Sequence, residues 1–177
     1  MPSVGFATST RNSIDMSKIQ DMMKQCNVQI LVGFPSGRPH IEAKHETING
    51  EIKNSASVST DESGNAIETA ELAEKLHYGA GNIPARPFLD DALNEAQNDL
   101  SKAIKQELEK IIQGTSEGNW DKIGTMAVGS VQEFVRGPYY KTNIPNSPVT
   151  IELKGSDKPL IDGGDLINSL TYIVEKT

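Results

Sequence analysis

Lys158-Pro-Leu-Ile-Asp-Gly-Gly-Asp-Leu-Ile-Asn-Ser-Leu-Thr-Tyr-Ile-Val174 holds four structural instructions in seventeen residues. Pro159 sits in a turn. Gly163 and Gly164 permit backbone angles closed to other residues. The stretch after them is long enough for one helical turn. Leu170-Thr-Tyr-Ile-Val174 then reads as a strand, being short, apolar and β-branched. Upstream, Ile83-Pro-Ala-Arg-Pro-Phe-Leu89 leads into the clearest helical period of the chain. Its stripe is Leu89, Leu93, Ala96, Leu100, Ala103, Ile104, Leu108 and Ile111, at spacings of three, four or five. The spacing predicts a helix from about Pro87 to Gln113, with Pro87 at its first position, Asp90 and Asp91 at its positive end, and Gly114 as its stop.

Outward from these two segments, residues 1–12 read as a loose arm. Ser13 is placed to cap a helix with Met16, Ile19, Met22 and Met23 on one side and Asn27 as its end. Val28 to Phe34 reads as a strand ended by Pro35 and Gly37. Residues 35–66 are polar. Thr47-Ile-Asn-Gly-Glu-Ile52 carries the Asn-Gly signal of a tight hairpin, and Ser55 to Asn65 reads as a mobile loop. Asn65 and Glu68 have capping-box spacing for a helix bearing Leu72, Ala73 and Leu76 and stopping at Gly79. Asn119 is placed to cap a further helix with Trp120, Ile123, Ala127, Val131, Phe134 and Val135 inward, ended by Gly137-Pro138. Ser147-Pro148 favours a short helix over 149–153, where the alternation alone would suggest a strand.

The bulk numbers narrow the function classes. The 177 residues suit one domain, 1–177, burying roughly 70% of the surface its unfolded chain exposes. A net charge of −7 with no basic block argues against a dedicated, sequence-specific nucleic-acid binder. Cys26 is the only cysteine, so neither an internal disulfide nor a multi-cysteine zinc site is available. The N-terminus lacks the pattern of a signal peptide, and no apolar stretch approaches the ~20 residues of a membrane span.

Catalytic patterns are thin. Gly114-Thr-Ser-Glu-Gly118 spells GxSxG, but a nucleophile elbow needs a preceding strand and a later histidine. Here a helix precedes it, and His40, His45 and His77 all lie upstream. Ser116 therefore reads as part of a helix–helix connector. His40 and His45 are five apart, which on a strand puts them on opposite faces, so the solvated-loop reading outweighs a metal site. Asp90-Asp91 and Asp162/Asp165 read as helix and turn caps rather than acid–base pairs. Gly79-Ala-Gly81 lacks the strand and third glycine of a dinucleotide loop. Trp120 and the apolar stripes read as core.

The two segments together resemble the tail-completion and head–tail joining ("neck") proteins of tailed bacteriophages. In that family a helix ending in a Gly-terminated turn leads into "iPaRPFl", and a C-terminal "KGsdkPLidTGxLxxSityxV" follows. The matching positions are Pro84, Arg86, Pro87, Phe88 and Leu89, then Pro159, Leu160, Asp162, Gly164, Leu166 and Ser169. The likeness covers roughly 28–34 and 65–174 and departs at Gly163, where relatives carry Thr. It implies an α+β fold, with a long helix across a small antiparallel sheet and further helices. It also implies a structural, non-enzymatic role without cofactor. The partners it implies are a homo-oligomeric ring (a hexamer being one candidate), the connector or neck, and the tail tube or tail terminator. The location would be the virion, after assembly in the host cytoplasm. Arg86, held between two prolines, is expected to form an internal ion pair or cap, or to pair with a carboxylate of the next subunit. The polar 35–66 segment and the N-terminal arm are of the kind that order against a neighbour. The competing readings are a small hydrolase using Ser116, a metal-dependent enzyme at His40/His45, and a nucleic-acid-binding accessory protein.

Overall fold

The computed structural model describes residues 16–48, 51–61 and 63–176, with the backbone alone for 43–48 and 51–54. The expected arm 1–12, the Ser13 cap and the Asn49-Gly50 turn lie outside the described residues. The class is α+β, with two two-stranded antiparallel sheets among helices.

The first helix, α1 (Met16–Cys26), turns Ile19 and Met22 toward the body and leaves Met16 and Met23 exposed. Four apolar positions span a wider arc than α1 turns to the body, so the expected four-residue face is reduced to two. β1 (Val28–Gly33) follows and pairs with the last strand, β4 (Thr171–Lys176), from Val28↔Lys176 to Gly33↔Thr171. Alternate residues Val28, Ile30 and Val32 face inward, while Leu31 and Ile173 stand exposed opposite each other.

The hairpin is much longer than Thr47–Ile52. β2 (Ile41–Ile48) and β3 (Glu51–Val58) pair along their full length, from Ile41↔Val58 to Ile48↔Glu51. Residues 55–58, expected in a loop, are therefore strand. Their small polar side chains hid it, because ladder hydrogen bonds rather than burial hold them. The expected Asn65–Glu68 box does not form. Asn65 donates to Asp61, and Glu68 accepts from the Gly37 amide at 3.0 Å. The next helix, α2 (Thr69–Tyr78), begins only after Glu68 and stops at Gly79, whose φ is 81°.

The expected single rod over 87–113 is two helices, α3 (Phe88–Glu95) and α4 (Gln97–Ile112), hinged at Ala96, with Pro87 as cap rather than first residue. The halves serve different cores. Phe88 and Ala92 pack with Ala73, Val131, Val135, Tyr140, Leu160, Leu166, Ile167 and Leu170. Ala103 and Ile111 pack with Trp120 and Ile123. One straight helix would have to point a single stripe at both, and the flattened ψ of −4° at Ala96 redirects it.

α5 (Trp120–Arg136) is capped as expected, the Asn119 side chain accepting from the Lys122 amide. It is also the helix that lies across the β1–β4 sheet, and it contributes to both cores. Gly124 makes this close packing possible, because a Cβ there would sit 2.2 Å from the Tyr172 ring. A short α6 (Tyr139–Asn143) was not expected. α7 (Pro148–Lys154) confirms the Ser147-Pro148 reading, with the Ser147 hydroxyl accepting from the Thr150 amide. α8 (Asp165–Asn168) supplies the single turn before β4. No helix among the described residues is long and apolar enough to cross a membrane.

Candidate functional site

Both sequence signatures meet at one cleft of about 900 Å³. Its sides are α2, the 82–86 segment, α7, the 160–166 turn and the root of the β2–β3 hairpin. Of the expected positions, Pro84, Arg86, Leu160, Asp162 and Leu166 line it. The others are structural. Phe88 is fully buried in the first core, with Leu89 against it. Pro87 caps α3, and Pro159 is buried behind Leu160. Gly164 takes the left-handed angle that starts α8, at φ 84°. The buried Ser169 hydroxyl donates to the Leu166 carbonyl at 2.7 Å and closes that helical turn.

Arg86 takes the capping role among its expected ones, not the internal ion pair. Its guanidinium meets no carboxylate among the described residues. Instead Nε donates to the Ile144 carbonyl and Nη2 to the Pro145 carbonyl, both at 3.1 Å, with Asn146 Oδ1 at 3.5 Å. The prolines at 84 and 87 fix the backbone so that this side chain bridges to the loop before α7. It is 4% exposed, and burial pulls it below its ordinary pKa. Lys154, at the end of α7, lies in the same field. Burial lowers its pKa first, Asp162 opposes this and Arg86 adds to it. Its one described hydrogen bond goes to the Lys158 carbonyl.

Asp165 holds the root of the hairpin rather than acting as a helix cap. Its carboxylate accepts from Arg38 at 2.6 Å and from the Ile41 amide at 3.1 Å. His40, expected in a solvated loop, is buried, with Nδ1 3.2 Å from Asp165 but lacking the angle of a hydrogen bond. The chain ladders of Ser59 to His40 and Ile67 to Ser59 finish this junction. On the far side, the buried Tyr140 hydroxyl donates to Asp91 at 2.5 Å, and burial, then this bond, raises its pKa. Two polar groups at the cleft, Ser59 Oγ and Asn146 Nδ2, are buried without a hydrogen-bond partner among the described residues.

The catalytic candidates stay apart. Ser116 lies in the α4–α5 connector and accepts from the Gly118 amide at 3.0 Å. His45 lies in β2, opposite Asn54. His77 is buried on α2 and contacts Asp90 at 3.3 Å. No group of three or more His, Cys, Asp or Glu among the described residues is arranged to hold a metal ion. Sequence reasoning missed Arg38, Ser59 and Asn146, and it placed His40 in a solvated loop and Lys154 only as the first residue of the C-terminal signature. The only signal within reach was the Ser147-Pro148 cap, which fixes α7 and so orients Lys154.

No protein-family model, curated protein or solved structure matches the chain.

Proposed function

We propose that this chain is a structural subunit of the phage head–tail joint, acting by ring assembly and by contacts with a connector and a tail tube or terminator. The observation that carries the reading is the meeting of its two signatures. The Pro159–Leu166 turn packs on the start of the helix that follows Arg86, with Phe88, Ala92, Leu160, Leu166 and Leu170 in one core. Segments some seventy positions apart thus share one core, which supports the reading. The β2–β3 hairpin adds support, since among the described residues its strands pair chiefly with each other. In this reading no bond is made or broken. The chain presents shape and surface, works in the virion and is assembled in the host cytoplasm.

The test is assembly. Sedimentation velocity is run on the purified chain alone, then mixed with tail tubes and with connectors. A concentration-dependent ring, or a monomer that joins only its partner, is the expected result. A chain that stays monomeric alone and in both mixtures overturns the proposal.

A further inference from the structure

We infer that the cleft between α2, the 82–86 segment, α7 and the 160–166 turn captures a carboxylate-bearing, apolar segment of a partner chain. The inference rests on the assembly reading only for the source of that segment. Its chemistry comes from the cleft itself.

The volume of about 900 Å³ matches a site for a few side chains rather than a packing defect. Leu72, Leu76, Ile83, Pro84 and Leu160 make apolar walls. Two cations share the space. Arg86 is 4% exposed and Lys154 is half-buried, and neither has a carboxylate within 4.0 Å among the described residues. Nearby cations held in a low-dielectric cleft repel each other, and a bound anion relieves both the repulsion and the desolvation. Asp162 and Glu42 also line the cleft, and Asp162 offsets part of the charge on Lys154 without closing an ion pair on either cation.

The free hydrogen-bonding capacity points the same way. Arg86 commits Nε and Nη2 to the carbonyls of Ile144 and Pro145, leaving Nη1. Among the described residues the amide Nδ2 of Asn146 is a buried donor with no partner, and so is the buried hydroxyl of Ser59. A donor-rich floor between apolar walls selects an acceptor-rich anion on an apolar body. A peptide carboxylate flanked by apolar side chains is that ligand.

The test is fluorescence anisotropy on the full chain with a short fluorescein-labelled peptide of alternating leucine and serine. The peptide ends in a free carboxylate, and its C-terminal amide is the comparison. The acid is expected to bind at least about ten-fold tighter than the amide, and added salt is expected to weaken it. Lys154→Met keeps the apolar stem and is expected to lower acid affinity about ten-fold with the melting temperature unchanged. In nitrogen-edited spectra the Asn146 side-chain amide is expected to shift on binding. Equal binding of acid and amide, no binding of either, or shifts confined to other surfaces overturn the inference. Hexanoate competing as well as the peptide overturns the partner-chain assignment. Acid-selective binding by a chain that joins neither tail tube nor connector removes the assembly role and leaves the cleft. Assembly without acid-selective binding does the reverse.

Discussion

At position 124 a hydrogen is all that the packing admits. The Tyr172 ring lies where a Cβ would point, 2.2 Å from its ideal position, and the tyrosine hydroxyl reaches Asp121 and Thr125 at 3.3 and 3.4 Å. Gly129, five residues on in the same helix, is exposed and has nothing within 4 Å. The two glycines therefore give substitutions of opposite sign. Gly124→Ala is expected to cost about 1–3 kcal/mol by displacing the ring from α5. Gly129→Ala is expected to add about 0.5–1 kcal/mol, because it only removes backbone freedom from the unfolded chain. Urea unfolding of both variants against the parent chain reads the contrast. Two losses of similar size would mean that Tyr172 does not set the distance between α5 and the sheet.

At the scale of elements, the joints are made by buried side chains that bond backbone. Arg86 holds the loop before α7, Asp165 holds the hairpin root, and Glu107 holds the start of α5 to α4. Glu107 is 1% exposed, accepts from Lys110 at 2.7 Å and accepts from the Asn119 amide at 3.1 Å. The Lys110 bond first, then the Asn119 amide, hold its carboxyl below the ordinary 4.5. A depressed acid gives stability that is present above the ordinary value and is lost as pH falls through the native one. The urea midpoint is expected to fall as the pH drops below the ordinary 4.5, and Glu107→Gln is expected to flatten that limb. An unchanged acid limb in the variant would assign the loss to other carboxylates.

Apart from α6 and the division of α3 from α4, the helices and β1 and β4 were legible because their caps and periods are local, as with Asn119 before α5 and Ser147-Pro148 before α7. The joints were not. Asp165 meets Arg38 across 127 positions and Arg86 meets Pro145 across 59, and nothing in either neighbourhood announces the other. The break at Ala96 was hidden for a related reason. The stripe from Leu89 to Ile111 is continuous along the sequence, but its halves answer to different cores. The cleft was half legible. Both of its signatures were found, yet His40 read as solvated, and the carbonyls that Arg86 caps could not be named.

At the scale of the whole molecule, α5 is the shared wall. Its N-terminal half gives Trp120 and Ile123 to one core, and its C-terminal half gives Val131 and Val135 to the other. Trp120 is also tied to α1, its Nε1 donating to the Gln25 carbonyl at 3.2 Å. Neither core is large, and the second depends on strand residues Val28, Ile30 and Val174 that α5 itself covers. Losing one half of α5 exposes the sheet face beneath the other, so the cores are expected to melt together. Trp120 is the only tryptophan and reports on the second core alone, whereas far-ultraviolet circular dichroism reports on all helices. The two signals are expected to give one urea midpoint. Val131→Ala, cut from the first core, is expected to move the Trp120 transition as far as the dichroism, with a loss of about 1–3 kcal/mol. A Trp120 transition that stays in place while the dichroism shifts would show that the hinge at Ala96 separates two units, and that α5 does not couple them.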